Sequence, residues 1–214
     1  TQVLFEPEAK LQDSITYDIT SWALPYAYGL QAYALETRLD AGKKFEKPAF
    51  TSNQVNGTPV AYLAPWNATQ HAKFLAALLQ AKIRVRYAEK AFTINGKSYP
   101  AGTLIIHRNG NQYVADFDKK VTDIANNFEI SLESSLSAYV EKGKDFGSPE
   151  VRPITAPKVA VLSGSGVSSL NFGEIWYFFE QELKYPLTVL DAGSLGGADL
   201  SKYQVLIVPS SWGG

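Results

Sequence analysis

Lys158-Val-Ala-Val-Leu-Ser163, with the turn Gly164-Ser-Gly166 behind it, decides the fold. Four apolar residues in a row, ended by glycines, read as a strand buried on both faces. Residues 172–183 follow as an amphipathic helix, with Ile175, Trp176, Phe179 and Leu183 on its apolar face. Pro186-Leu-Thr-Val-Leu190 and Tyr203-Gln-Val-Leu-Ile-Val208 read as further strands. Strand, helix and strand in that order, with continuous apolar strands, call for parallel pairing through right-handed crossovers.

The order is that of the opening half of a flavodoxin-like parallel sheet. Upstream, Val151-Arg-Pro-Ile-Thr-Ala-Pro157 carries two prolines and reads as a linker. Residues 58–150 before it read as a small α/β lobe. Pro59-Val-Ala-Tyr-Leu-Ala64 is a short strand, and Asn67 with Gln70 resembles a capping box. Phe74, Leu75, Leu78 and Leu79 then form the apolar stripe of a helix. Ile83-Arg-Val-Arg-Tyr87 alternates as a half-exposed strand does. Asn95-Gly96 between Phe92-Thr-Ile and Lys97-Ser-Tyr is a strong hairpin signal. Gly102-Thr-Leu-Ile-Ile-His107 is another strand, and residues 121–128 form a short helix.

Residues 1–57 read as a helical and linker segment. Asp18 or Thr20 can cap a helix that Pro25 interrupts, with Tyr26, Leu30, Tyr33 and Ala34 on one face. That aromatic stripe is better read as core packing than as a ligand box. Residues 41–57 are charged and punctuated by Pro and Gly, as a linker is. The whole chain has 214 residues, 20 basic against 21 acidic, and a net charge of -1. Such a balance gives no electrostatic case for nucleic acid. No apolar run is long enough to span a bilayer. There is no cysteine, hence no disulfide, thiolate metal site or cysteine nucleophile. With no methionine either, the chain is expected to be part of something longer. Its last residues read as a strand and loop whose partner elements would lie downstream.

The two histidines, His71 and His107, stand on different elements without a carboxylate at ligand spacing. A zinc site needs three or four protein ligands, so no metal is expected in this chain. His71, near a helix start, reads as a surface residue, and His107, at a strand end, as a packed or hydrogen-bonded one. No Gly-x-Ser-x-Gly elbow occurs among the serines at 163, 165, 168, 169, 210 and 211. Asp18, Asp191 and Asp199 suit caps and turns. No catalytic residue is therefore assigned. The candidate ligand-binding residues are Gly164, Ser165, Gly166, Ser168, Ser169 and Asn171. They join a parallel strand to a helix, where free N–H groups and the helix dipole favour anions. Ser169 replaces the third glycine of a dinucleotide fingerprint, and no Gly-Lys-Ser/Thr follows. The competing reading is a glycine turn with helix caps from Ser168, Ser169 or Asn171.

Three stretches carry a family resemblance. Leu11-Gln-Asp-Ser-Ile-Thr-Tyr-Asp-Ile-Thr-Ser-Trp-Ala-Leu-Pro-Tyr-Ala-Tyr-Gly29 resembles the segment at the end of, or just after, the peptidase domain in large bacterial zinc carboxypeptidase-like proteins. Phe92-Thr-Ile-Asn-Gly-Lys-Ser-Tyr-Pro-Ala-Gly-Thr-Leu-Ile-Ile106 resembles the accessory domain that follows it there. Val159-Ala-Val-Leu-Ser-Gly-Ser-Gly-Val-Ser-Ser-Leu-Asn-Phe-Gly-Glu-Ile-Trp-Tyr-Phe-Phe-Glu180 is similar to the start of their class I glutamine amidotransferase-like domain. The resemblance implies a secreted or periplasmic exopeptidase parent, with this chain as its non-catalytic accessory or interaction region. Zinc would sit in an upstream peptidase domain of the same parent, the expected partner, and no cofactor in this chain. The family's His-x-x-Glu zinc pair is not in this sequence: His71 precedes Ala72-Lys73-Phe74, and His107 precedes Arg108-Asn109-Gly110. Two alternatives stand beside this reading: a module binding a small anion or carboxylate ligand, and part of an amidotransferase-like enzyme completed by other residues. A homo-oligomer is compatible with each.

Overall fold

The computed structural model describes Tyr33, residues 35–40 and residues 42–210. The helix expected within residues 15–39, its caps at Asp18 or Thr20, and Ser211 lie wholly or mostly outside them. The chain divides into two compact units, Thr1–Lys47 and Pro48–Gly214. In the first, the described residues are exposed and carry no helix or strand.

The second unit holds, in chain order, β1 (Ala61–Ala64), α1 (Thr69–Gln80), β2 (Val85–Ala88), β3 (Phe92–Ile94), β4 (Lys97–Tyr99) and β5 (Leu104–His107). Then come α2 (Phe117–Asn127), β6 (Glu133–Ser135), β7 (Val151–Ile154), β8 (Val159–Ser163) and α3 (Ser169–Tyr177). A π-helical turn, Phe178–Leu183, continues α3, and β9 (Leu187–Asp191) and β10 (Val205–Ile207) complete the set. The protein is thus a mixed α/β structure.

β6-β1-β5-β2-β7 form a five-stranded sheet in which every pair is antiparallel. β1 and β2 therefore run the same way on either side of β5, joined across the sheet by α1. Alternation sends Tyr62 and Ala64 to one face, where Phe74 and Leu78 of α1 and Val121 and Ala125 of α2 pack. Ala61 and Leu63 go to the other face, under Phe92, Ile94, Tyr99 and Phe146. Burying each large apolar side chain is worth about 1.5–3 kcal/mol, and a buried cluster lies on each side of this sheet. Asn95 and Gly96 sit at φ 53 and 69, the left-handed pair that a two-residue hairpin between β3 and β4 requires.

Two local readings are corrected. The residue before α1 is Ala68, extended at φ -154, and no side chain caps the helix there. Asn67 lies one residue too early to form a box with Gln70. The segment 151–157 is also not a linker throughout, because Val151–Ile154 is the edge strand β7. Glu89 N–H donates to Glu150 O at 2.9 Å, so the two-residue repeat turns the nitrogen of Pro153 outward. A proline fits an edge strand in that position. Val151 meanwhile packs into the second core and Ile154 against the first. Between the sheets, the connection shortens to residues 155–157.

The smaller sheet has the order β10-β8-β9 and both its pairs are parallel. β8 is buried as its apolar run requires, but β9 and β10 are half-buried or exposed. α1 contacts the turn that follows α3: Lys73 pairs with Glu182, and Gln80 Nε2 donates to Lys184 O at 2.5 Å.

Candidate functional site

Three segments meet at the carboxyl edge of the parallel sheet. The turn after β8 carries Gly164 at φ +95 and Gly166 at φ +84, a backbone that favours glycine. Asp191 ends β9 opposite Ser163. A Cβ on Gly164 would collide with Asp191 Oδ2, so the glycine makes room for this carboxylate. Ser210, beyond β10, supplies the third segment. Its carbonyl accepts from Ser168 N at 3.0 Å, and its hydroxyl accepts from Asn171 Nδ2.

The six candidate residues do not all converge. Ser168 is buried and caps α3, its hydroxyl accepting from Asn171 N at 3.4 Å. Asn171 is tied to Ser210, while Ser165, Gly166 and Ser169 are exposed. Nothing lies within 4 Å of a Cβ built at Gly166. Val167 N–H donates to Gly164 O at 3.2 Å. Several N–H groups at the start of α3 are thus already used, and a carboxylate stands beside them. The arrangement can cap a helix and hold three loops together. For an anion it offers fewer free donors than the sequence promised.

The histidines divide. His71 is buried, not on the surface: it lies on the third residue of α1 against Trp66, ring centroids 6.3 Å apart. Its Nδ1 has no hydrogen-bond partner. Burial pushes its pKa below the usual imidazole value. A polar residue near a helix start reads as exposed in sequence, but here the first turn of α1 tucks beneath Trp66. His107 is packed and bonded, as its place at a strand end suggested. Its Nδ1 accepts from Asn109 N at 2.9 Å, and its ring meets Phe146 edge-on.

The reading of the sequence missed Arg84 and Arg86. Their signal was the alternation in Ile83-Arg-Val-Arg-Tyr87, which sends both arginines to one face. That face is the one His107 occupies. Among the described residues, no group of three or more His, Asp or Glu side chains could hold a metal ion. No helix there is long and apolar enough to cross a membrane. Comparison with protein-family models, curated proteins and solved structures gave no match.

Proposed function

We propose that the chain is a non-catalytic accessory or interaction region of a secreted or periplasmic zinc carboxypeptidase-like metallopeptidase. Its parent would remove C-terminal residues with a zinc held in an upstream peptidase domain. The observation that carries the interaction role is the apolar surface of the parallel lobe. Leu170, Val189 and Val208 are 71%, 45% and 66% exposed. Parallel strands are ordinarily covered on both faces, and these three residues lie on α3, on β9 and just after β10. The proposed occupant is the peptidase domain of the same parent. The smaller sheet is read as the first half of a flavodoxin-like sheet, because its strands stand second, first, third across it. The family assignment rests on the three resembling stretches in their order.

The reading frame upstream of Thr1 tests this directly. A His-x-x-Glu pair with a later His is expected there, and a frame without them overturns the assignment. The small-anion alternative at Gly164 is the weaker one, since Asp191 and the internal bonds of the loop stand against it. The amidotransferase-like alternative requires a cysteine or serine elbow encoded downstream.

A further inference from the structure

The second face of the antiparallel sheet is only partly covered. The β3–β4 hairpin and Phe146 lie over Leu63, Ala88 and Ile105. Cover ends at His107, whose ring touches the edge of Phe146. Beyond it, β2 brings Arg86 beside Ile105 of β5 and Pro153 of β7. One alternation step further on, Arg84 just before β2, His107 at the end of β5 and Thr155 just after β7 line one cavity. Directly opposed residues of antiparallel strands share a face, so Arg84, Arg86 and His107 lie on one.

Asn111 fixes the end of this arrangement. Its side chain is 1% exposed. Its Oδ1 accepts from Arg84 N at 2.8 Å, and its Nδ2 donates to Arg84 O at 2.9 Å and to His107 O at 2.8 Å. The backbones bearing the arginine and the histidine are thereby clipped together. A cavity of about 380 Å³ opens over them, with Arg84, Arg86, His107, Asn109, Pro153 and Thr155 in its lining.

The chemistry of the lining is one-sided. It contains no aspartate or glutamate. Among the described residues, neither arginine meets a carboxylate at ion-pair distance. Arg84 rests over the ring of Tyr113 at 5.5 Å, and Arg86 makes one long bond, Nη1 to Val151 O at 3.4 Å. Two guanidinium groups line one cavity with no carboxylate in its lining to offset their charge. Their planar forks match the oxygen pairs of carboxylate and phosphate. Because Asn109 donates to Nδ1, the neutral imidazole of His107 carries its proton on Nε2, which makes it a donor.

We propose that this cavity binds the oxyanion group of a small ligand, a carboxylate or a phosphate, between Arg84 and Arg86 with His107 as the third donor. The site is separate from the Gly164 turn and does not depend on the parent assigned above. Its volume exceeds that of a bare oxyanion, and Pro153, opposite Arg86, gives it an apolar edge. Burial, and secondly the charge of Arg86, hold the imidazole of His107 below its usual pKa. An anion opposes both effects. Binding should therefore draw a proton onto His107 and tighten as pH falls through its titration.

The test is a nuclear magnetic resonance titration of the full chain at constant ionic strength. The probes are sodium phosphate, sodium acetate and N-acetylglycine, with sodium chloride as the control. Saturable shifts are expected at the amides of residues 84, 86, 107, 109 and 155 and in the His107 ring. Arg84→Gln and Arg86→Gln should each weaken binding at least about tenfold, as loss of a charge-assisted bond does. Arg86→Lys should recover part of the loss. Arg84 is exposed, so its variant should keep the far-ultraviolet circular dichroism of the parent. Saturation by phosphate alone identifies a phosphate site, and saturation by acetate and N-acetylglycine a carboxylate site. Shifts no greater than those from chloride, shifts centred on residues 164–173, or unchanged affinity in a folded Arg84→Gln protein would each overturn the proposal.

Discussion

The antiparallel and parallel sheets of the second unit both contain apolar strands, yet only the first has a buried core on each of its faces. Its central strand β1 is buried along its whole length, between a helical layer and a hairpin layer. In the parallel sheet only β8 comes close, buried over Val159–Leu162, and it does so by standing in the middle. None of the residues of α3 is fully buried. An apolar run in sequence thus reports what a strand needs, and the neighbours decide whether it is met.

The largest expected effect sharpens this contrast. Phe74 is wholly buried between α1 and the sheet. Phe74→Ala should lower unfolding free energy by about 3–5 kcal/mol, measured by urea denaturation. Trp176→Ala, at a residue 41% exposed on α3, should cost less than about 1 kcal/mol. Equal losses would break the distinction between a closed and an open lobe.

Glycines at left-handed backbone give the next test. A Cβ on Gly143 (φ +102) would lie 2.8 Å from Phe92 Cβ and 2.9 Å from Ala91 O, against a β3 region that cannot withdraw. On Gly164 its close contacts would be with the side chain of Asp191, which can swing away, and Ala192 N would stand at an ordinary 3.7 Å. Gly143→Ala and Gly164→Ala should each lose about 1–3 kcal/mol from backbone strain, the former more. Asp191→Ala should recover part of the Gly164→Ala loss and none of the Gly143→Ala loss in double-mutant cycles.

A smaller effect concerns pH. His71 is held neutral by burial, its folded pKa below the unfolded value of about 6.5. The unfolded chain therefore takes up its proton first as pH falls. The stability due to the neutral ring is complete above that unfolded value, declines as pH drops toward the folded value, and is gone below it. His107 shares the direction. His71→Leu should flatten part of the acid-side slope in denaturation midpoints taken between neutral and mildly acidic pH. An unchanged slope would mean that His71 is not the buried neutral group described.

The smallest effect lies at the join between the lobes. Lys73 and Glu182 are partly exposed, and such pairs contribute no more than about 1 kcal/mol. Glu182→Gln should leave the main unfolding transition almost in place while speeding proteolysis at residues 155–157. Cleavage inside β8 ahead of that connection would contradict the division into two sheets.

How much of this could be read from the sequence follows how local each feature is. The hairpin at Asn95-Gly96 and the buried strand at Val159–Ser163 were legible, because each is set by adjacent residues. β7 was hidden by Pro153, whose outward nitrogen is visible only once β2 is its neighbour. The burial of His71 depends on Trp66, and Asp191 reaches Gly164 from the next strand. The shared face of Arg84 and Arg86 was legible in their alternation. Its exposure was not, because that depends on where the cover ends at Phe146.

Pro153 has one more consequence, for how these sheets meet others of their kind. An incoming strand bonds to a free edge by pairing with its outward N–H and C=O groups. At β7 the outward nitrogen of Pro153 has no hydrogen to give, which blunts that edge against extension by another chain. Among the described residues, β9 and β10 are edges of the parallel sheet without a proline inside the strand. The antiparallel sheet has a second edge in β6, Glu-Ser-Ser without a proline, so the missing proton guards β7 alone.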